Sequence, residues 1–124
     1  NSENKIVGHR KAKNFENYQS LLGSCDIGLS TVMIKKNIFT NDLKFPNLKT
    51  KEDFVLWLKF LKKNYKIFSI NTDLTSWRKL NNSLSSSTLQ KLIDGFNVYH
   101  KFMKFNFIKS LYYLMVLCAN YLRK

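Results

Sequence analysis

The stretch Lys51-Glu52-Asp53-Phe54-Val55-Leu56-Trp57-Leu58-Lys59 constrains this chain more than any other. Two adjacent carboxylates open a run that is otherwise nearly all apolar, and the pattern predicts a helix from about Lys51 to Lys63 with Asn64 as its stop signal. Acidic side chains are favoured at such a start, because unpaired N–H groups and the macrodipole stabilise negative charge there. The same geometry leaves a carboxylate at the mouth of whatever cleft the helix points into. Asp53 can therefore be a general base for an incoming hydroxyl. It can equally be half of a capping box, with Thr50 as N-cap and Asp53 at the third helical position.

At 124 residues and 44% apolar content the chain suits one domain or a piece of one, and the composition argues against disorder. It begins at Asn1 without a charged-then-apolar leader, and an incomplete chain is the expectation. Lys and Arg number 21 against 8 acids, a formal net charge of +13. That balance attracts polyanions: nucleic acid, anionic lipid headgroups or phosphorylated substrates. Cys25, Cys118, His9 and His100 show no metal-ligand spacing and are expected to be small buried or half-buried side chains, and the two unpatterned cysteines suit a reducing compartment.

Residues Asn1 to Asn14 read as a polar lead-in, and Phe15 to Leu22 as a short helix broken by Gly23-Ser24. Ile27 to Ile34 alternates as a strand would, with Tyr65 to Ile70 and Leu74 to Leu80 as two further candidates. Between them Lys35 to Asn47 is a polar connection. Ser87-Thr88-Leu89-Gln90 forms a second capping box, opening a helix whose Leu89, Leu92, Ile93, Phe96, Tyr99, Phe102 and Met103 make one stripe. Asn106 caps a last helix, apolar from Leu111 to Ala119. Lys109, Ser110 and Asn120 interrupt it, leaving it short of the roughly 20 apolar residues a membrane span needs. Tyr112, Tyr113 and Tyr121, with Lys104, Lys109, Arg123 and Lys124 around them, suit an interfacial helix; packing on the domain's own core is the alternative.

Taken in order, Cys25 to Ile34, Phe45-Pro46-Asn47, Glu52 to Leu58, Tyr65-Lys66-Ile67-Phe68 and Trp77-Arg78, with Asn82-Ser83-Leu84-Ser85 after them, resemble the C-terminal half of a family 2 glycosyltransferase. The relatives it resembles are bacterial enzymes that build cell-surface polysaccharides, and the resemblance covers about residues 20 to 124. It implies an α/β fold: the acceptor-side half of a GT-A (Rossmann-like) glycosyltransferase domain, with two C-terminal helices. Residues 1–80 would be the partial GT-A domain and 81–124 a helical extension suited to a membrane interface.

The resemblance also implies roles. Asp53 matches the catalytic base of the family. Glu52 and Trp57 would support the acceptor, the alternatives being helix-start charge for Glu52 and core packing for Trp57. Ser30 and Thr31 match the strand facing the donor sugar. Arg78, with Lys79, would contact the donor diphosphate; the position aligned with a histidine of relatives is Leu80 here. A divalent metal (Mg or Mn) is expected in the full-length enzyme, on an Asp-x-Asp outside this chain. The nearest local motif, Asn71-Thr72-Asp73, lacks one carboxylate and reads as a turn.

The implied function is inverting transfer of a sugar from a nucleotide-sugar donor to a glycan or lipid-linked acceptor, at the inner face of the cytoplasmic membrane and docked on anionic lipid. The fragment alone is expected to be inactive. The competing reading is a small basic module that binds nucleic acid or a membrane surface without catalysis. Nucleic acid is disfavoured: no RRM, KH or helix-turn-helix signature is present, and many aromatics fall on helix stripes where core packing explains them.

Overall fold

The computed structural model describes residues 6, 8–9, 11–76 and 87–123. Four α-helices organise them: α1 (Tyr18–Leu22), α2 (Glu52–Lys62), α3 (Thr88–Asn97) and α4 (Phe107–Leu122). Helix α3 runs on into a π-helical turn, Val98–Phe102, and short 3-10 turns occur at Leu29–Thr31 and Lys36–Ile38.

Helix α2 is the centre of the core, as its apolar run requires. Phe54, Val55, Leu56, Trp57, Leu58, Phe60 and Leu61 are all buried. They are covered by Leu21 and Leu22 of α1, Leu43 of the polar connection, Val98, Tyr99 and Met103 from the π turn and the residue after it, and Leu117 of α4. The predicted stop is present and has a specific geometry. Asn64 adopts the left-handed conformation (φ 63°). Its N–H donates to the Leu61 carbonyl at 3.0 Å while the Tyr65 N–H donates to the Phe60 carbonyl at 3.0 Å. This is the paired-bond ending that lets asparagine stand in for glycine, and the Phe60–Tyr65 ring contact at 5.9 Å is its apolar clasp.

The strand expectations are where structure and pattern part. Among the described residues there is no strand. Ile27 to Ile34 is interrupted by the 3-10 turn Leu29–Thr31, with the Thr31 N–H and Oγ1 both donating to the Gly28 carbonyl at 3.1 and 2.7 Å. Tyr65 to Ile70 contributes one antiparallel bridge, Phe15 to Ile67. Leu74 to Ser76 has no regular structure, and the rest of that candidate lies outside the described residues. A strand needs a neighbour to take its N–H and C=O groups, and alternation alone does not supply one.

The second half is a helical hairpin. The Ser87 side chain accepts from the Gln90 N–H at 3.4 Å and that of Asn106 from the Lys109 N–H at 2.9 Å, so both helices have their predicted N-caps, while the Gln90 side chain turns to Asp94 instead of closing the predicted capping box. Gly95 lets the two helices approach: a Cβ there would meet Leu114 Cδ1 at 3.0 Å. Phe96 meets Phe107 (5.5 Å) and Lys91 lies over the Tyr121 ring (5.8 Å), so the helices run antiparallel. Tyr99 fastens the hairpin to the core, its hydroxyl donating to the Leu22 carbonyl at 2.6 Å; Asn120 does likewise to the Gly23 carbonyl at 2.9 Å.

The predicted stripe of α3 is only partly buried. Tyr99 and Met103 are in the core, whereas Leu89, Leu92 and Ile93 are exposed. In α4, Leu117 faces the core while Phe107, Ile108, Leu111, Tyr112, Met115 and Leu122 are open, Ile108 and Leu122 by 80% and 83%. The two histidines are also exposed rather than buried.

Candidate functional site

The start of α2 is built by a contact 44 residues away in sequence. Asp94, 3% exposed on α3, accepts from the Thr50 N–H at 2.9 Å and the Thr50 hydroxyl at 2.8 Å through Oδ2, and from the Gln90 side-chain amide at 3.0 Å through Oδ1. Thr50 is thereby committed to α3 and does not cap α2. The N-cap is Lys51, in the left-handed conformation (φ 63°, ψ 18°) with no side-chain cap bond. The capping box Thr50–Asp53 is therefore not formed. The physical reason is that a buried carboxylate is a stronger acceptor for the threonine than the reciprocal bond a capping box offers.

Glu52 and Asp53 then occupy the first two helical positions. Asp53 Oδ1 accepts from the Phe54 N–H at 2.7 Å. No ion pair engages Asp53 among the described residues. Its side chain is half-buried, and this desolvation, offset in part by the Phe54 N–H and assisted by the neighbouring Glu52 charge, raises its pKa above the ordinary 3.8. The nearby Lys51 charge pulls the other way without overcoming the burial, so the result is a carboxylate of enhanced proton affinity.

The other predicted site residues are placed less favourably. Trp57, one turn beyond Asp53, is 1% exposed and packs edge-on with Phe45 at 6.5 Å and beside Phe60 at 6.0 Å. It is a core residue, as the apolar helix demands, and not an exposed pocket wall. Its indole N–H has no protein partner among the described residues. Ser30 and Thr31 lie exposed on the 3-10 turn, and no hydrogen bond joins them to α2. Arg78, Lys79 and Leu80 lie outside the described residues. Asp73 is exposed, and its carboxylate lies 3.7 Å from His9 Nδ1. Among the described residues no group of three or more His, Cys, Asp or Glu side chains could hold a metal ion. The divalent metal is expected on an Asp-x-Asp outside this chain, so the described residues are not those that would hold it.

Asp94 and Lys51 are the site-building residues that pattern reading passed over. Asp94 had a local signal, since Gln90 and Asp94 stand four apart on one face of a helix. Lys51 had none, because a left-handed lysine is disfavoured on local grounds.

Comparison with known proteins places the chain among bacterial glycosyltransferases. It is 30% identical over 107 residues to TuaG of Bacillus subtilis (strain 168), whose name assigns it to teichuronic acid biosynthesis as a glycosyltransferase, covering 86% of this chain and 42% of that protein. It is 34% identical over 116 residues to WfgD of Escherichia coli, a UDP-Glc:alpha-D-GlcNAc-diphosphoundecaprenol beta-1,3-glucosyltransferase, covering 92% of this chain and 44% of that protein. WfaP of Escherichia coli, with the same enzyme name, is 35% identical over 82 residues, 66% of this chain and 32% of its own. The chain spans less than half the length of these curated relatives. No protein-family model and no solved structure matches it.

Proposed function

Because this chain belongs to the glycosyltransferases of bacterial cell-surface polysaccharide biosynthesis, a kinship that implies a GT-A-like domain, we propose that it is the acceptor side of an inverting enzyme with Asp53 as general base. The observation that carries this reading is the half-buried Asp53 carboxylate at the start of α2, in no ion pair among the described residues and with its pKa raised by desolvation despite the nearby Lys51 charge. The donor-binding half lies outside this chain, in keeping with its coverage of less than half of each relative.

In the reaction, an acceptor hydroxyl gives its proton to the Asp53 carboxylate as its oxygen bonds to the anomeric carbon. The bond from that carbon to the donor's phosphate oxygen breaks on the opposite face, its electron pair leaves with the nucleoside diphosphate, and the configuration inverts. A higher proton affinity makes Asp53 a better acceptor for that proton. Asp94, through Thr50, fixes where the helix begins and so where the carboxylate stands. The divalent metal of the family would be held by residues beyond those described, and no step here is routed through it.

The acceptor is a glycan on a lipid carrier, and the enzyme works peripherally at the inner face of the cytoplasmic membrane. The open apolar face of the α3–α4 hairpin supports this, together with a run from Gly95 to Lys124 that contains Lys101, Lys104, Lys109, Arg123 and Lys124 and no acid. No helix among the described residues is long and apolar enough to cross a membrane.

The test is Asp53→Asn in the full-length enzyme. Transfer should fall by about 10²-fold or more, the usual worth of a general base, with donor affinity unchanged. Stability supplies a second readout. The raised pKa means that protonation favours the folded state: this contribution is fully present below the ordinary carboxylate range and is lost as pH rises through the raised value. At neutral pH the asparagine variant should therefore unfold at the same or a slightly higher temperature. Unchanged turnover would remove Asp53 from the mechanism, and a stability loss of about 1 kcal/mol would make it a cap.

A further inference from the structure

Between the 41–47 connection, the last turn of α2 and the π turn lies a cleft of about 760 Å³ whose charged lining is lopsided. It presents Lys44, Lys59, Lys62, Lys63, Lys101 and Lys104 against a single acid, Asp42. Asp42 is already engaged: its carbonyl accepts from Lys59 Nζ at 3.1 Å, and its carboxylate lies 3.7 Å from Lys63 Nζ. No acid pairs with the other four lysines among the described residues.

Helix polarity explains part of this cluster, since cations are favoured beside the carbonyls that end a helix, and Lys59, Lys62 and Lys63 sit at the end of α2. It does not explain Lys44, Lys101 and Lys104, which arrive from two other elements. Lys104 is held at φ 59°, a backbone conformation that glycine or asparagine adopts without strain, so lysine stands there against local preference. The floor between the charges is apolar, formed by Leu43, Phe102 and Met103. The cleft is open to solvent rather than enclosed, and lysines brought to it from three elements over an apolar floor suit a compact polyanion.

We propose that this cleft is a phosphate site that takes the diphosphate of a lipid-linked acceptor. The inference rests on the membrane-side reading above and deepens it by naming the group the enzyme holds. The cleft's rim at Lys104 is three residues before the first residue of α4, Phe107, where the open apolar face of the hairpin begins. A bilayer seated on that face brings phosphate groups to the level of the rim. Two linked phosphates match a cluster drawn from three elements better than one does.

The experiment titrates inorganic pyrophosphate and inorganic phosphate into this chain by calorimetry at fixed ionic strength. Two triple variants of equal charge are compared: Lys44→Gln/Lys101→Gln/Lys104→Gln in the cleft, and Lys11→Gln/Lys35→Gln/Lys36→Gln on exposed surface away from it. Pyrophosphate should bind about tenfold more tightly than phosphate, and the cleft triple should lose about tenfold in pyrophosphate affinity while the surface triple changes little. Equal weakening in both triples would show bulk charge attraction and overturn the site, as would the lack of saturable pyrophosphate binding.

Phosphatidylcholine vesicles with and without phosphatidylglycerol separate the two sources of phosphate. If the cleft triple loses binding to the anionic vesicles and pyrophosphate shows no advantage over phosphate, the cleft holds phospholipid headgroups and the acceptor assignment is overturned. Neither titration depends on sugar transfer, so failure here leaves the Asp53 reading standing, and an active Asp53→Asn enzyme leaves the cleft standing.

Discussion

Helices α2 and α4 are both rich in apolar residues, yet they meet opposite fates. Seven of the eleven residues of α2 are buried by the chain itself. In α4, sixteen residues long, only Ser110 and Leu117 are buried, and the face through Ile108, Leu111, Tyr112 and Met115 stands open. The apolar content of a helix fixes how much surface must leave water, but not what covers it. For α2 the cover is its own domain. For α4 its own domain covers only a narrow strip around Ser110 and Leu117, and the rest of its apolar surface stands open.

The sharpest way to break this comparison is to cut into α2. Phe54 is fully buried and meets Tyr99 edge-on at 6.3 Å, joining the core helix to the hairpin. Phe54→Ala should cost about 3–5 kcal/mol in urea unfolding, transfer and cavity terms together. A cost below about 1 kcal/mol would mean that α2 is not the centre of the core.

A smaller effect is expected at the clasp between the two regions. Asp94→Ala leaves the Thr50 N–H and the Gln90 amide without their acceptor in a half-buried setting, a loss of about 1–3 kcal/mol. Asp94→Asn keeps an acceptor oxygen and should lose less. In the full-length enzyme the alanine variant should also slow transfer, because the start of α2 is no longer fixed. Full activity at reduced stability would confine Asp94 to a structural role.

These residues show what was legible beforehand. The extent of α2, its stop at Asn64 and the caps at Ser87 and Asn106 were written locally, in residue types whose side chains act within four positions of themselves. The Glu52-Asp53 pair was visible for the same reason. The Thr50–Asp94 contact was not, since it closes a loop of 44 residues and no local pattern distinguishes it from a capping box. The strands failed on similar grounds: Ile27 to Ile34 has the alternation, but pairing is a property of two segments, and the only pairing among the described residues is Phe15 with Ile67.

The smallest stability effect belongs to the open face, and it decides what covers α4. Ile108, Met115 and Leu122 are 80%, 65% and 83% exposed, so replacing all three by serine removes little buried surface. The triple variant should unfold within about 0.5 kcal/mol of the parent, as surface changes do. Its binding to vesicles carrying anionic lipid should nevertheless collapse, because the apolar face supplies the immersion and the lysines only the approach. Salt separates the two contributions. It should weaken the parent's attachment without abolishing it, since screening acts on Lys101, Lys104 and Lys109 but not on buried hydrocarbon. If the triple variant binds vesicles as the parent does, the bilayer does not cover this face. If instead it unfolds well below the parent, the face is packed against protein, and α4 belongs with α2 after all.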